Sequence, residues 1–266
     1  MKSTMESMTT SLGRRVTVVA QDLGGAWLLF MSVFRDLWKR PSYPRLIIEQ
    51  VYHIGVKSSA LVLITAAFTG MVMALQFGLG LEKFGGKLYV PKIVSLSIVR
   101  EIGPVFCSLM LAARVGAGIA SEIASMVVTQ QIDAIRVLGT SPIKRIVIPR
   151  MLGCLISLPI LCTIGDLVGV GGALLVGVTE LGLDPYFFYN KVVTTVTLLD
   201  LLTGILKSVF FAFSISLTAC YFGLTVKGGT RGVGQTTTKA VVVASMSILI
   251  SDFFLTKLFF VLFEKG

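Results

Sequence analysis

Residues 54–79 read IGVKSSALVLITAAFTGMVMALQFGL, and Lys57 is the only charged side chain among these 26 residues. An α-helix rises about 1.5 Å per residue, so about 20 apolar residues are enough to cross the roughly 30 Å hydrocarbon core of a bilayer. This stretch therefore predicts a transmembrane helix. Four more stretches of sufficient length follow it, at residues 93–120, 146–178, 198–226 and 240–263. The sequence thus predicts an all-α integral membrane protein with five transmembrane helices.

The composition of the whole chain agrees with a membrane protein. Of its 266 residues, 54% are hydrophobic and only 14% are charged, whereas soluble domains carry about 25% charged residues. No polar or Pro-rich linker divides the chain, which predicts a single domain over residues 1–266 with its transmembrane core at 47–264. A net charge of +10 would suggest nucleic acid in a soluble protein. Here the cations lie between apolar stretches, so no nucleic acid partner is expected.

Residues suited to catalysis, metal binding or nucleotide binding are sparse. The four cysteines lie in apolar stretches without a CxxC pair, and His53 is the only histidine, so no metal site is expected. No catalytic residues are predicted. The phosphate-binding pattern G-x-x-x-x-G-K-[ST] is absent, and the nearest glycine-rich stretch, residues 228–232, lacks its lysine. We therefore expect the chain to bind no cofactor, so any nucleotide hydrolysis must come from a partner.

A segment of a different kind, residues 12–40, precedes the first span. Its apolar residues recur at steps of three and four, which places them on one face of a helix. Tryptophans and flanking cations are typical of an amphipathic helix lying in the membrane interface. A sixth span is the less favoured alternative, because Asp22 and Arg35 interrupt the segment. The apolar positions are Val16, Val19, Leu23, Trp27, Phe30, Phe34 and Trp38.

The distribution of cations predicts the orientation. The segments before the first span, between spans two and three and between spans four and five, counted with Lys57 and Arg150 at the adjoining span ends, carry 15 Lys and Arg residues, against five on the opposite side. Cytoplasmic segments carry the excess of Lys and Arg, which places the amino terminus in the cytoplasm. Five spans then leave the carboxyl terminus on the outer side.

The third span also repeats small residues, which favour close helix packing within one subunit: Gly165, Gly169, Gly172 and Gly177.

Between spans two and three, residues 129–138 predict a short amphipathic helix. Thr129 suits the N-cap, and Gly139 suits the C′ position because it can adopt a positive φ. The helix is too short to span a membrane, and a cytoplasmic helix with an apolar edge needs a groove to occupy. The alternative is a second interfacial helix resting on lipid. Its candidate contact residues are Thr129, Gln131, Ile132, Asp133, Ile135, Arg136 and Leu138.

Several separated motifs together resemble the MlaE/YrbE family of ABC-transporter permeases. They are REIGP (100–104), ARVGA (113–117), ASEI (120–123), QIDA (131–134), PR (149–150), LKSV (206–209) and SDF (251–253). They occur in the family's order, and the resemblance extends from about residue 47 onward. The segment at 12–40 matches the family less closely, so its interfacial placement rests on its own pattern.

The resemblance implies a transporter with several partners. Such permeases form homodimers, bind two copies of a cytoplasmic ABC ATPase that holds ATP and Mg²⁺, and work with a periplasmic MCE-domain protein. A small STAS-like regulatory subunit can join them. They move phospholipids or related lipids between the bacterial inner membrane and the outer envelope, which maintains the lipid asymmetry of the outer membrane. By this likeness, the helix at 129–138 is a coupling helix seated on the ATPase.

Charged residues within the predicted spans mark a candidate lipid site. A charge at the centre of a transmembrane helix costs about 2.5–3.5 kcal/mol on insertion scales, so each needs a partner or an aqueous cavity. Cations such as Arg100 and Lys207 suit a phosphate headgroup, and the resemblance places Arg100, Glu101 and Lys207 near the family's lipid cavity. A purely structural network, pairing Lys207 with Glu101 and Arg100 with Asp252, is the alternative. Further candidate lining residues are Met71, Leu75, Gln76, Leu79 and Tyr89.

Two other classes of membrane protein remain alternatives. A secondary transporter driven by an ion gradient is disfavoured because five spans without a convincing repeat do not suit that class. An intramembrane enzyme would need a nucleophile with a base or two facing carboxylates. Asp166 and Asp252 could face each other, but neither lies in a motif that activates water.

Overall fold

The computed structural model describes residues 2–37 and 43–263, with side chains described for 17, 20–37 and 43–262. All regular secondary structure in these ranges is helical. In chain order the helices are α1 (Lys2–Leu37), α2 (Pro44–Glu82), α3 (Lys87–Val128), α4 (Gln131–Val137), α5 (Ile143–Thr179), α6 (Pro185–Thr195), α7 (Leu198–Leu224) and α8 (Gly229–Phe263).

Five of the described helices, α2, α3, α5, α7 and α8, are long and apolar enough to cross a membrane. This confirms the prediction of five spans, and α1 does not meet the same criteria. The spans start earlier than predicted: α3 starts at Lys87, and α2 starts at Pro44. Apolar length identifies the part of a helix that meets lipid, but the hydrogen-bonded helix continues past that boundary into polar residues.

The helices define two ends of the bundle. The α4 end carries α4 and the start of α2, while the α6 end carries α6 and the start of α7. Helix α6 was not predicted from the sequence, although its start has a clear signature. The Asp184 carboxylate caps it by accepting a hydrogen bond from the Phe187 amide at 2.7 Å, and Pro185 occupies the first helical position. The ring of Phe188 then lies against Gly177 of α5, which anchors α6 to the bundle.

The helices α2 and α5 make a close contact through small residues. A Cβ atom added to Gly70 would overlap the carbonyl of Gly169, and one added to Gly172 would overlap the carbonyl of Ala67. Small residues allow such backbone contact, which gains dispersion energy where lipid offers no hydrophobic driving force between helices. The glycines of α5 thus pack within one chain, as predicted.

Replacing Gly70 with alanine is expected to destabilise the bundle by about 2 kcal/mol, because the methyl group cannot fit without separating α2 from α5. Gly80 on the same helix is the matched control, since no atom lies within 4 Å of an added Cβ there. Gly80→Ala should leave stability unchanged or slightly raised. Detergent-denaturation curves of the two variants measure the difference, and equal stability would contradict the backbone contact.

Helix α1 lies against the bundle near its α4 end. The ring of Phe30 packs edge-on against Phe213 of α7 with centroids 5.2 Å apart, and the Asp22 carboxylate accepts a hydrogen bond from Lys239 of α8 at 2.7 Å. Other apolar side chains predicted for the helix face, including Trp27 and Phe34, are exposed. An exposed apolar stripe beside the spans suits contact with lipid, and the interfacial placement stays a prediction. The side chains of Val16 and Val19, and residue Trp38, lie outside the described residues.

Candidate functional site

A buried lysine organises the charged residues of the bundle. Lys207, on α7, is only 1% exposed. Its Nζ donates to the Glu101 carboxylate at 2.5 Å and to the Thr256 hydroxyl at 2.7 Å. Nζ also lies 3.0 Å from Oδ1 of Asp252, an ionic contact without hydrogen-bond geometry. The predicted pairing of Lys207 with Glu101 is confirmed, and this lysine links α3, α7 and α8.

The backbone of α3 supplies a further acceptor to Lys207. Pro104 lacks an amide hydrogen, so the carbonyl of Arg100, four residues earlier, loses its ordinary helical donor. The chain forms a π-helical turn over Ile98–Ile102, and Nζ of Lys207 donates to this carbonyl at 3.2 Å. The sequence REIGP thus positions two charged side chains and also exposes a backbone acceptor to the lysine.

Arg100 pairs with a residue that sequence analysis did not select. Its Nε donates to Oδ1 of Asp200 on α7, so the predicted pairing with Asp252 is wrong. Asp200 is buried, and its Oδ2 accepts from the amide and hydroxyl of Thr197 at 2.7 and 2.8 Å. These contacts form a capping box at the start of α7, which fixes the carboxylate that Arg100 meets. The pattern Thr197-x-x-Asp200 was the available signal.

These residues face a cavity in the α6 half of the bundle, between α3, α7 and α8. Its volume of about 200 Å³ is below the 300–1,000 Å³ typical of sites that enclose a small-molecule ligand. Within one chain it can therefore hold a polar headgroup but not acyl chains. The cavity is lined by Arg100, Glu101, Thr197, Leu199, Asp200, Thr203, Lys207, Thr256, Phe259 and Phe260.

The charges around the cavity are mixed. Two cations, Arg100 and Lys207, meet three carboxylates, so the described residues of the site have no excess of positive charge. Lys207 is enclosed by its partners, whereas the side chains of Arg100 and Glu101 are 41% and 38% exposed. The side chains of Arg100 and Glu101 are therefore partly open to solvent, while Lys207 holds Glu101 in place through its direct contact.

The other predicted lining residues lie elsewhere on the chain. Leu75, Gln76 and Leu79 are on the exposed side of α2, and Tyr89 is exposed at the start of α3. None of them is among the residues that line the cavity. The buried face of α2 packs against α5, and Leu75, Gln76 and Leu79 lie on its other face. One chain therefore does not bring them together with Arg100 and Glu101.

Helix α4 forms a short projection at its end of the bundle. Thr129 is not its N-cap, because its hydroxyl donates back to the Ser125 carbonyl of α3 at 2.9 Å; Gln130, with φ of 59°, occupies that position. Gly139 does adopt a positive φ, 71°, as predicted. Ile132 is buried in the chain's own core, whereas Val137 and Leu138 are 87% and 77% exposed. Ile135 is partly buried, and Asp133 and Arg136 form an exposed ion pair at 2.9 Å.

Comparison with known proteins places this geometry in context. Residues 47–258 match the model of a family described as Permease MlaE. The chain is 41% identical over 254 residues to "Probable ABC transporter permease protein" of Rickettsia conorii, covering 96% of this chain and 98% of the relative. It is 33% identical over 253 residues to "Intermembrane phospholipid transport system permease protein MlaE" of Haemophilus influenzae, covering 94% and 97%. A chloroplastic relative in Arabidopsis thaliana, "Protein TRIGALACTOSYLDIACYLGLYCEROL 1", is 32% identical over 213 residues, covering 80% and 61%.

Proposed function

Since this chain belongs to the MlaE family of ABC-transporter permeases, we propose that it moves phospholipids or related lipids between a bacterial inner membrane and the outer envelope. The name of the Haemophilus influenzae relative supports a phospholipid substrate. The observation that carries the proposal is the mixed-charge cavity, which lies in a bundle of five candidate spans at the end opposite α4. Such transport would maintain the lipid asymmetry of the outer membrane.

The exposed charges suit a lipid headgroup that itself carries both signs. Arg100 can meet a phosphate and Glu101 can meet an ammonium group, while Phe259 and Phe260 line the same cavity with apolar surface. The acyl chains would lie outside this small cavity. A second copy of the chain would form a homodimer with this one and supply more lining. The site would then be completed by exposed residues of α2 and α3, namely Leu75, Gln76, Leu79 and Tyr89.

The energy source would be a separate protein. We assign ATP and Mg²⁺ to two copies of a cytoplasmic ABC ATPase, with α4 as the coupling helix of each permease subunit. Val137 and Leu138 support this assignment, because two exposed apolar side chains on a short projecting helix suit a groove on a partner. A periplasmic MCE-domain protein at the α6 end and a small STAS-like regulatory subunit complete the proposed assembly.

The proposed orientation places the α4 end and the amino terminus in the cytoplasm, with the carboxyl terminus in the periplasm. Cations near the α4 end support this, because Lys and Arg accumulate on the cytoplasmic side. They include Lys144, Arg145, Arg150, Lys227 and Arg231.

Reconstitution with the partner ATPase tests this function. Vesicles containing the permease and ATPase should transfer a fluorescent phospholipid to an acceptor only when ATP is supplied. Arg100→Gln should reduce the rate about tenfold, as expected for loss of a charge-assisted contact of roughly 1.5 kcal/mol. Arg231→Gln, at the other end of the bundle, is the matched control and should leave the rate unchanged. Transfer by the permease alone, driven by an ion gradient, would instead identify a secondary transporter.

A further inference from the structure

A second polar feature lies inside the bundle, away from the lipid cavity. Asp166, near the middle of α5, is only 7% exposed, and its Oδ1 has no hydrogen-bond partner among the described residues. This oxygen lies against the Cα atom of Gly103 on α3, where any added side chain would overlap it. It borders a small cavity of about 20 Å³ at the junction of α2, α3 and α5.

The polar groups around this cavity can only accept further hydrogen bonds, because each already donates its own proton to a backbone carbonyl. The Thr65 hydroxyl donates to the Leu61 and Val62 carbonyls at 2.9 Å, and the Thr69 hydroxyl donates to the Thr65 carbonyl at 2.7 Å. The Gly103 amide donates to the Ile98 carbonyl within the π-helical turn. If Asp166 were ionised, the cavity would contain carboxylate and hydroxyl acceptors without a strong donor.

The remaining titratable groups near Asp166 do not supply a counter-charge. Of the described residues that line the cavity, Cys107 is the only other titratable one, and its thiol interacts with that of Cys162 on α5. A thiol is a weak donor and carries no positive charge. Cations are absent from the lining that α2, α3 and α5 contribute. An isolated carboxylate in such surroundings takes up a proton rather than remain charged.

We infer that Asp166 is a proton- and water-binding site in the membrane core. The carboxyl group carries a proton and donates it in a hydrogen bond to one water, and that water donates to the hydroxyl oxygens of Thr65 and Thr69. The cavity volume agrees, because one water needs at least about 10–15 Å³ and two to four polar partners.

A monovalent cation is the competing occupant, since acceptor oxygens also bind cations. The lining argues against it. Most of the lining is apolar, including Ile98, Ile102 and Phe106, and only three lining side chains carry oxygen. Hard cations bound by oxygen generally take about six ligands or keep their own waters, and a cavity that holds one water has no room for those.

The location connects this site to the lipid cavity. Ile98 and Ile102, which line it, belong to the same π-helical turn as Arg100 and Glu101. That turn therefore has the neutral Asp166 on one side and the Lys207 network on the other. Loss of the proton would place a charge directly behind the residues that face the lipid cavity.

Infrared difference spectroscopy of the full chain in lipid nanodiscs tests the inference. The spectrum of the wild type minus that of Asp166→Asn should contain a carboxylic acid C=O band that shifts to lower frequency in D₂O. Asp133→Asn is the matched control, because Asp133 is exposed on α4 and paired with Arg136, so its difference spectrum should contain carboxylate bands instead. Asparagine preserves the size of Asp166 and cannot carry the charge. The melting temperature of the Asp166→Asn variant should equal that of the wild type.

Two further measurements keep the inference testable if Asp166→Asn does not fold. The first uses the wild type labelled with ¹³C at aspartate side chains, in which the acid band should persist at a pH where exposed carboxyl groups are ionised. Replacing K⁺ with Na⁺ or Li⁺ should not change the frequency or intensity of this band. Thr69→Val should shift the band by removing an acceptor of the water, whereas Thr179→Val, an exposed threonine with the same backbone hydrogen bond, should not. Carboxylate bands from Asp166, or an acid band that Na⁺ abolishes, would overturn the proton assignment. If the band of the Thr69→Val variant did not shift, the assignment of a bound water would be wrong.

Discussion

Replacing Lys207 with methionine is expected to destabilise the bundle by about 3 kcal/mol. The change leaves Glu101 and Asp252 facing each other without their shared cation, and breaking a buried ion pair on one side typically costs about 3–5 kcal/mol. We expect the lower end of that range because both carboxylates keep some contact with solvent. The measurement is the denaturation curve of the purified chain in detergent.

Two controls separate the ion-pair network from the loss of one lysine. Lys57→Met makes the same substitution at an exposed lysine, whose Nζ contacts His53 at 2.8 Å, and should have little effect. The triple variant Lys207→Met, Glu101→Gln, Asp252→Asn removes every charge of the network and should recover most of the stability. The triple variant should still retain less phospholipid on purification than the wild type, because position 101 no longer presents a charge to the cavity. A single Lys207→Met variant as stable as the wild type would contradict the network.

Introducing aspartate at Leu138 is expected to release the partner ATPase while leaving the permease folded. Leu138 is exposed, so burying a charge there costs free energy only when the ATPase covers it. A central interface residue contributes about 2 kcal/mol or more to the free energy of binding, so we expect the affinity for the ATPase to fall by at least about thirtyfold. Binding of the ATPase to the permease in nanodiscs measures the change.

The matched control is Tyr186→Asp, which introduces the same charge at an exposed position on α6, at the other end of the bundle. It should leave ATPase binding unchanged. Ile132→Asp should instead prevent folding, because Ile132 lies in the chain's own core. If Leu138→Asp bound the ATPase as tightly as the wild type, α4 would not be the contact.

Hydropathy predicted the five spans because the bilayer sets a minimum apolar length that few other structures satisfy. The pairing of Lys207 with Glu101 was also accessible, since a buried cation needs an opposite charge. Asp200 was missed although it lies seven residues before Lys207, two helical turns away and on the same face of α7. Arg100 and Glu101 are adjacent and point to different sides of α3, so Arg100 meets Asp200 and Glu101 meets Lys207.

The error at the start of α4 came from local competition between hydrogen bonds, whereas α6 was missed for a different reason. Threonine can cap the next helix or bond back to its own helix four residues earlier, and Thr129 does the latter. The turn to α4 then falls on Gln130 in a left-handed conformation that side-chain preferences disfavour. Helix α6 lacks a long apolar stretch, so a search for spans overlooks it even though Asp184 and Pro185 mark its start. Which face of α2 meets a second chain depends on contacts that one sequence does not contain.

The backbone contact at Gly70 also limits how this permease can move. Sliding α2 along α5 by one turn, about 5.4 Å, would replace the glycine opposite Gly169 with Ala66 or Ala74, whose methyl groups cannot fit there. The two helices therefore behave as a single strut through the bilayer. Residues 138–142 join α4 to α5, so we expect a push applied to α4 to move α2 and α5 together, and the bundle to open by rotation of α3, α7 and α8 about them.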